Sequence, residues 1–126
     1  KRVAYQYPQN APAQLTVGYQ CQLIEDNACA EKRYRQVLVI RPENAHALNN
    51  LGGLMIQRGQ YRDAQVLIEK AIRIEPTHAE AYGNRIVLAE KTGVGKAQIP
   101  RWKKKFDLFK KMKRRKDYLL GEFRFR

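Results

Sequence analysis

The sequence predicts an all-α fold: a solenoid of stacked antiparallel helix pairs followed by a long basic C-terminal helix. Three observations lead there. The segments PQNAPA, PENAHA and PTHAEA begin at Pro8, Pro42 and Pro76, at equal intervals of 34 residues. A fixed period in this range marks a repeat array, in which each unit buries its apolar face only against its neighbours. Within a period, apolar residues recur at helical spacing twice, with a glycine-bearing break between the two runs. Finally, Ile99, Trp102, Phe106 and Phe109 follow a 3-4-3 spacing inside a strongly basic stretch, the pattern of an amphipathic helix.

Residues 1–10 keep register through Pro8 and read as the end of a preceding, truncated repeat. On that reading the chain is a piece of a longer array; the alternative is a divergent half-repeat acting as a cap. Residues 11–44 form the next unit. Residues 45–78 carry the clearest one. Asn44 is placed to cap a helix beginning at Ala45, with Leu48, Leu51, Leu54 and Met55 on one face. Arg58–Gln60 breaks the pattern, and Gly59 suits the left-handed conformation of a helix end. A second helix is expected over Tyr61–Ile74, with Ala64, Leu67, Ile68, Ala71 and Ile74 inward. Pro76 stops it. Thr77 with Glu80 reads as a capping box for the following helix. Residues 79–95 are the first helix of a third unit and its end. Residues 96–126 form the basic amphipathic helix and tail, in which GEFRFR (121–126) alternates like a strand or a frayed end.

Glycine inside a helix costs about 1 kcal/mol relative to alanine. Gly52 in the first helix of the central pair therefore implies compensation, and the expected one is close approach of the two helices, with Ala64 opposite. Gly53 lies one step around the helix and leaves the open face bare.

Leu48, Leu51, Gly52, Gly59, Tyr61, Ala64, Ile68, Ala71 and Pro76 fall in the order and spacing of the tetratricopeptide repeat, and the chain resembles a piece of a protein of that family. The unit 11–44 keeps Gly18, Ala30, Tyr34 and Pro42 but departs at Gln14 and Val17, where larger apolar residues are usual. In the third unit Arg85 and Ile86 replace the usual Leu-Gly pair. The resemblance implies a right-handed superhelical solenoid that acts as a protein–protein interaction module, an adaptor or assembly scaffold. It also implies that the first helices wall a concave groove binding a peptide or protein segment. Here that wall carries Leu15, Tyr19 and Gln22, then His46, Asn49, Asn50, Gly53 and Ile56, then Glu80, Gly83, Asn84 and Val87. Asn50 and Asn84 are 34 residues apart and stack in register. Their amides both donate and accept, which suits an extended peptide backbone. The alternative is that they bind neighbouring helices or water. A chaperone-binding subclass grips a C-terminal carboxylate with basic and amide groups. This chain keeps only Asn50 of that set, with Leu15, Tyr19 and Glu80 at other positions, so that specificity is not expected.

Catalysis finds little support. His46 and His78 are the only histidines, and spacing gives neither a Ser or Cys partner. TGVGKAQ (92–98) fails the phosphate-loop pattern, because Glu90 stands at the first glycine and Ala97 at the Ser/Thr. Gly93 and Gly95 read instead as a helix end and turn. No enzyme activity, cofactor or metal site is therefore expected. Cys21 and Cys29 are too few for a disulfide scaffold and lack zinc-ligand spacing. They are expected mainly as small hydrophobes between helices, with a disulfide as the lesser alternative.

The chain has 126 residues, enough for one small domain, and 25 Lys/Arg against 12 Asp/Glu give a net charge of +13. Such a charge favours acidic partners. Residues 101–126 hold 12 Lys/Arg and 3 Asp/Glu, a local +9. The basic patch comprises Lys103, Lys104, Lys105, Lys110, Lys111, Lys113, Arg114, Arg115 and Lys116. Two readings coexist. The aromatics cover the last repeat as a cap, and the lysines contact an acidic partner, RNA or an anionic membrane surface.

Overall fold

A computed structural model describes residues 11–124, with side chains through Lys116. The half-repeat expected over residues 1–10 lies outside the described residues. Six helices follow in order: α1 (Ala11–Leu23), α2 (Asn27–Ile40), α3 (Ala45–Gln57), α4 (Tyr61–Ile74), α5 (Ala79–Thr92) and α6 (Ile99–Arg124), with one 3-10 turn over Lys96–Gln98 before α6. Helix continues through Gly121–Arg124, so a strand there is excluded up to Arg124. No described helix is long and apolar enough to cross a membrane. The helices pack as hairpins, α1 on α2, α3 on α4 and α5 on α6, and successive hairpins stack through α2–α3, α4–α5 and α3–α5.

The repeat period is visible in the backbone. The first helix of each unit ends at a left-handed residue: Glu25 (φ 60°), Gly59 (φ 76°) and Gly93 (φ 79°). Glycine adopts this conformation freely; Glu25 does so at a cost of about 1–2 kcal/mol. The next amide reaches back to close the turn, Asp26 N–H to the Cys21 carbonyl and Gln60 N–H to the Met55 carbonyl, both at 2.8 Å. These bonds satisfy carbonyls that a helix end would otherwise leave bare.

Caps follow the side chains available. Asn44 accepts from the Ala47 amide at 2.9 Å, as its position predicts. The expected Thr77–Glu80 capping box does not form: the N-cap of α5 is His78, which makes no side-chain cap bond. The Glu80 carboxylate turns to Lys113 instead, at 3.6 Å.

The core runs along the seam between paired helices. Tyr34, Leu51, Leu54, Ile68 and Leu88 are among its fully buried members. Gly18 and Gly52 occupy the same place in successive units. A Cβ on Gly18 would stand 2.6 Å from the Tyr34 ring, and one on Gly52 2.6 Å from Ile68 Cγ1. The approach expected between Gly52 and Ala64 is therefore made mainly with Ile68, the Ala64 carbonyl oxygen coming next at 3.5 Å. Gln14, polar where the pattern favours an apolar residue, is 1 % exposed and accepts from Arg33 at 3.2 Å.

In the third unit Ile86 stands where Gly18 and Gly52 stand in the others; it is buried and lines the groove cavity. The tight contact moves three residues along α5 to Gly83, where a Cβ would meet Phe106 at 3.0 Å. Helix α6 thereby lies against the face of α5 that carries Glu80, Gly83 and Val87. Phe109 meets Tyr82 with ring centres 5.7 Å apart. The Arg85 guanidinium lies 4.5 Å over Trp102. Arg85 is 3 % exposed, and its guanidinium donates to Glu69 at 3.1 Å and to the Val94 carbonyl at 3.3 Å. An arginine in place of the usual leucine thus ties three segments together while its stem packs as a hydrophobe.

Cys21 and Cys29 are joined as a disulfide, with Cα atoms 5.8 Å apart. The lesser of the two alternatives is thus the one the structure shows. The eight-residue spacing spans the turn between α1 and α2, and the hairpin folds its two ends face to face. Cys21 also packs in the core and Cys29 against it, so the hydrophobic role holds alongside the covalent one.

Candidate functional site

The first helices α1, α3 and α5 stand side by side and expose one face. Tyr19 and Gln22 from α1, Asn49 and Asn50 from α3, and Glu80, Asn84 and Val87 from α5 line one open cavity of about 710 Å³. Seven residues scattered over 69 positions of sequence are brought to one surface because the 34-residue period places them on one face of successive first helices. A smaller recess of about 350 Å³ adjoins it, shared by Tyr19, His46, Asn50, Glu80 and Lys113.

Polar groups on the groove wall are partly engaged with one another. Asn84 donates through Nδ2 to Asn49 Oδ1 at 2.8 Å. Asn49 is 2 % exposed, so this bond satisfies an amide that burial would otherwise strand. The Tyr34 hydroxyl donates to Gln22 Oε1 from beneath the groove floor. Burial pushes that phenol up to about 12, a hydrogen bond with the Asn50 side chain opposing the shift. The hydroxyl therefore stays protonated and remains a donor. Gly53 keeps the wall low beside Asn84, whose Nδ2 would lie 3.5 Å from an added Cβ.

Two expected groove residues differ in place. Ile56 is 7 % exposed and sits in the main core cluster, so it packs the hairpin rather than displaying a side chain. Asn84 is tied across to Asn49 on α3 rather than standing free in line with Asn50. Sequence reasoning missed the other wall. Lys103, Phe106 and Asp107 of α6 line the same cavity as Asn50 and Asn84. The signal for this was Gly83 together with the aromatic stripe, since a bare helix face invites a ring.

On α6 the aromatics Trp102, Phe106 and Phe109 are half-buried, while Leu108 and Met112 are exposed. Lys105 is half-buried 5.5 Å over the Tyr82 ring, and Lys110 lies 4.9 Å from the Phe106 ring. Lys113 pairs with Glu80. Lys104, Lys111, Arg114, Arg115 and Lys116 are exposed.

Comparison with known proteins agrees with this architecture. Over 75 residues the chain is 32 % identical to human cilia- and flagella-associated protein 70, covering 60 % of this chain and 7 % of that protein. A crystal structure of MamA superposes with a TM-score of 0.70 at 21 % identity, over 86 % of this chain and 63 % of that one. A second MamA structure gives 0.68 at 21 % identity, over 86 % of this chain and 58 % of that one. The chain thus spans a small part of the curated relative and about three fifths of the solved ones. At such identity the MamA likeness is one of fold. A repeat solenoid of this kind supports a protein–protein interaction module. The tetratricopeptide repeat model matches residues 25–86, covering the second helix of one unit, the whole central hairpin and the start of α5, so this stretch is a tetratricopeptide-repeat segment.

Proposed function

We propose that the groove between α1, α3, α5 and α6 binds an extended peptide or protein segment. The observation that carries this reading is the open cavity of about 710 Å³, walled by three successive first helices and edged by α6. Its lining suits a peptide. Tyr19 and Phe106 offer apolar area, and Asn50 and Asn84 offer amide hydrogen bonds. Glu80, Lys103 and Asp107 place both signs of charge at the rim, so the groove does not select for one charge alone. Each amide keeps hydrogen-bonding capacity beyond its contact within the fold, Asn84 with Asn49 and Asn50 with Tyr34.

A peptide-display library selected on the wild-type chain tests this. Selected peptides should lose binding to Asn50→Ala combined with Asn84→Ala, by about tenfold or more for two groove hydrogen bonds at about 1 kcal/mol each. Helical content should stay near wild type. Peptides that bind the double variant undiminished would place the interaction elsewhere.

A second reading rests on the exposed lysines and arginines of α6. They form a cationic surface suited to RNA or an anionic membrane. Replacing Lys104, Lys111 and Arg115 by glutamine should leave the melt nearly unchanged yet reduce retention on RNA or anionic vesicles. Binding of that kind weakens steeply with salt, whereas groove binding of a peptide does not. Salt-insensitive retention, unchanged in the triple variant, would remove this reading.

A further inference from the structure

We propose that His46, Glu75 and His78 form a binding site for a divalent transition-metal ion of the Zn²⁺ class at the junction of the second and third repeats. The ligand atoms of these three residues all lie within 4.8 Å of one another. The two imidazole rings stand 4.6 Å apart, centre to centre. Donors sharing a tetrahedral ion at about 2.0–2.2 Å lie about 3.3–3.6 Å apart. His46 is exposed, which leaves its side chain room to turn toward the other two.

The independent observation is His78 itself. It is 4 % exposed, and neither ring nitrogen has a hydrogen-bond partner. Glu80 Oε2 comes within 3.3 Å of Nδ1 but off the hydrogen-bonding direction. Burying a polar ring without partners is costly, and in native structures such a group calls for an explanation. The preceding repeat supplies the contrast. One period earlier stands Asn44, which caps its helix through the Ala47 amide. His78 occupies the same cap position and makes no cap bond. At Glu75 the preceding unit has Arg41, which repels a cation. The two ligand positions thus change together, from a cap and a cation to an imidazole and a carboxylate.

The scaffold is firm. Glu75 ends α4 and His78 begins α5, and the His78 amide donates to the Glu75 carbonyl at 3.0 Å. His46 lies in the first turn of α3. An ion here would pin three consecutive helices at the point where one repeat meets the next. The site opens to an adjoining cavity of about 470 Å³. Two imidazoles and one carboxylate are a borderline donor set, suited to Zn²⁺, Co²⁺ or Ni²⁺ over Ca²⁺ or Mg²⁺. Lys113 also faces this region, but Glu80 holds it at 3.6 Å and offsets its charge.

The test is titration of the tag-free, chelator-treated, disulfide-bonded chain with Zn²⁺, followed by calorimetry and native mass spectrometry, and with Co²⁺ followed by visible absorption. One ion per chain is expected, with a higher melting temperature and joint shifts of the His46 and His78 ring resonances. His46→Ala alters an exposed side chain and should keep the fold while weakening Zn²⁺ about tenfold or more. Glu75→Gln should weaken it similarly. Failure of the wild-type chain to bind Zn²⁺, or equal binding by folded His46→Ala, would overturn the proposal. Neither outcome decides the peptide reading, which is tested at Asn50 and Asn84.

Discussion

Ala64→Leu lowers the stability of the chain by about 1–3 kcal/mol, the usual cost of forcing extra methylenes into a packed core. Ala64 is fully buried on α4, and its carbonyl oxygen already lies 3.5 Å from where a Cβ on Gly52 would stand. Ile68, one turn further on, fills the rest of that space. A leucine has nowhere to go without parting α3 from α4. Gly52→Ala probes the same seam from the other side. Helix propensity alone favours alanine by about 1 kcal/mol. The added Cβ would meet Ile68 Cγ1 at 2.6 Å, however, so the helix or that side chain must shift and the net effect should be a loss. Thermal or urea unfolding of both variants checks the account. A stable Ala64→Leu would show that the hairpin opens at little cost, contrary to the packing.

Replacing Trp102, Phe106 and Phe109 together by alanine should cost more. Truncating a fully buried aromatic costs about 3–5 kcal/mol. These three are half-buried, so the triple variant should lose roughly that much in total rather than for each ring. The loss has three local causes. Phe106 leaves Gly83 without a partner, Phe109 leaves Tyr82, and Arg85 loses the ring its guanidinium covers. Helix α6 packs chiefly on α5, so it should detach before the rest unfolds. Apolar surface would then become exposed, and a dye that binds such surface should report it. In the wild-type chain the emission of Trp102 should be blue-shifted relative to free indole and only partly open to quenchers. Fully red-shifted emission would mean that the aromatic face is open and that α6 stands away from the repeats.

The helices, their pairing and the family were legible in the sequence because they depend on spacing. A 34-residue period, apolar residues at helical intervals, glycine at two seams and proline at three boundaries are one-dimensional signals. Each constrains the backbone locally or through its nearest neighbour, and a solenoid is built from little else. Asn44 as a cap and Gly59 as a left-handed helix end follow from the same local rules. The groove face of α1, α3 and α5 was legible for the same reason.

Contacts between side chains distant in sequence were decided only by the tertiary structure. Counting could not show that the turn after α1 brings Cys21 to Cys29. Nor could it show that the close contact on α5 falls at Gly83, against the Phe106 ring. Phe106 and Lys103 of α6 line the groove beside that contact. Whether Asn84 reaches a ligand or a neighbouring helix stayed open in the sequence, because its bond to Asn49 crosses between repeats. His78 showed no partner in the sequence because neither its burial nor its nearness to His46 and Glu75 is written in spacing. Periodicity fixes which face of a helix a residue occupies. Which atoms meet across that face depends on how far apart the helices stand, and that distance is set by the side chains of both partners at once.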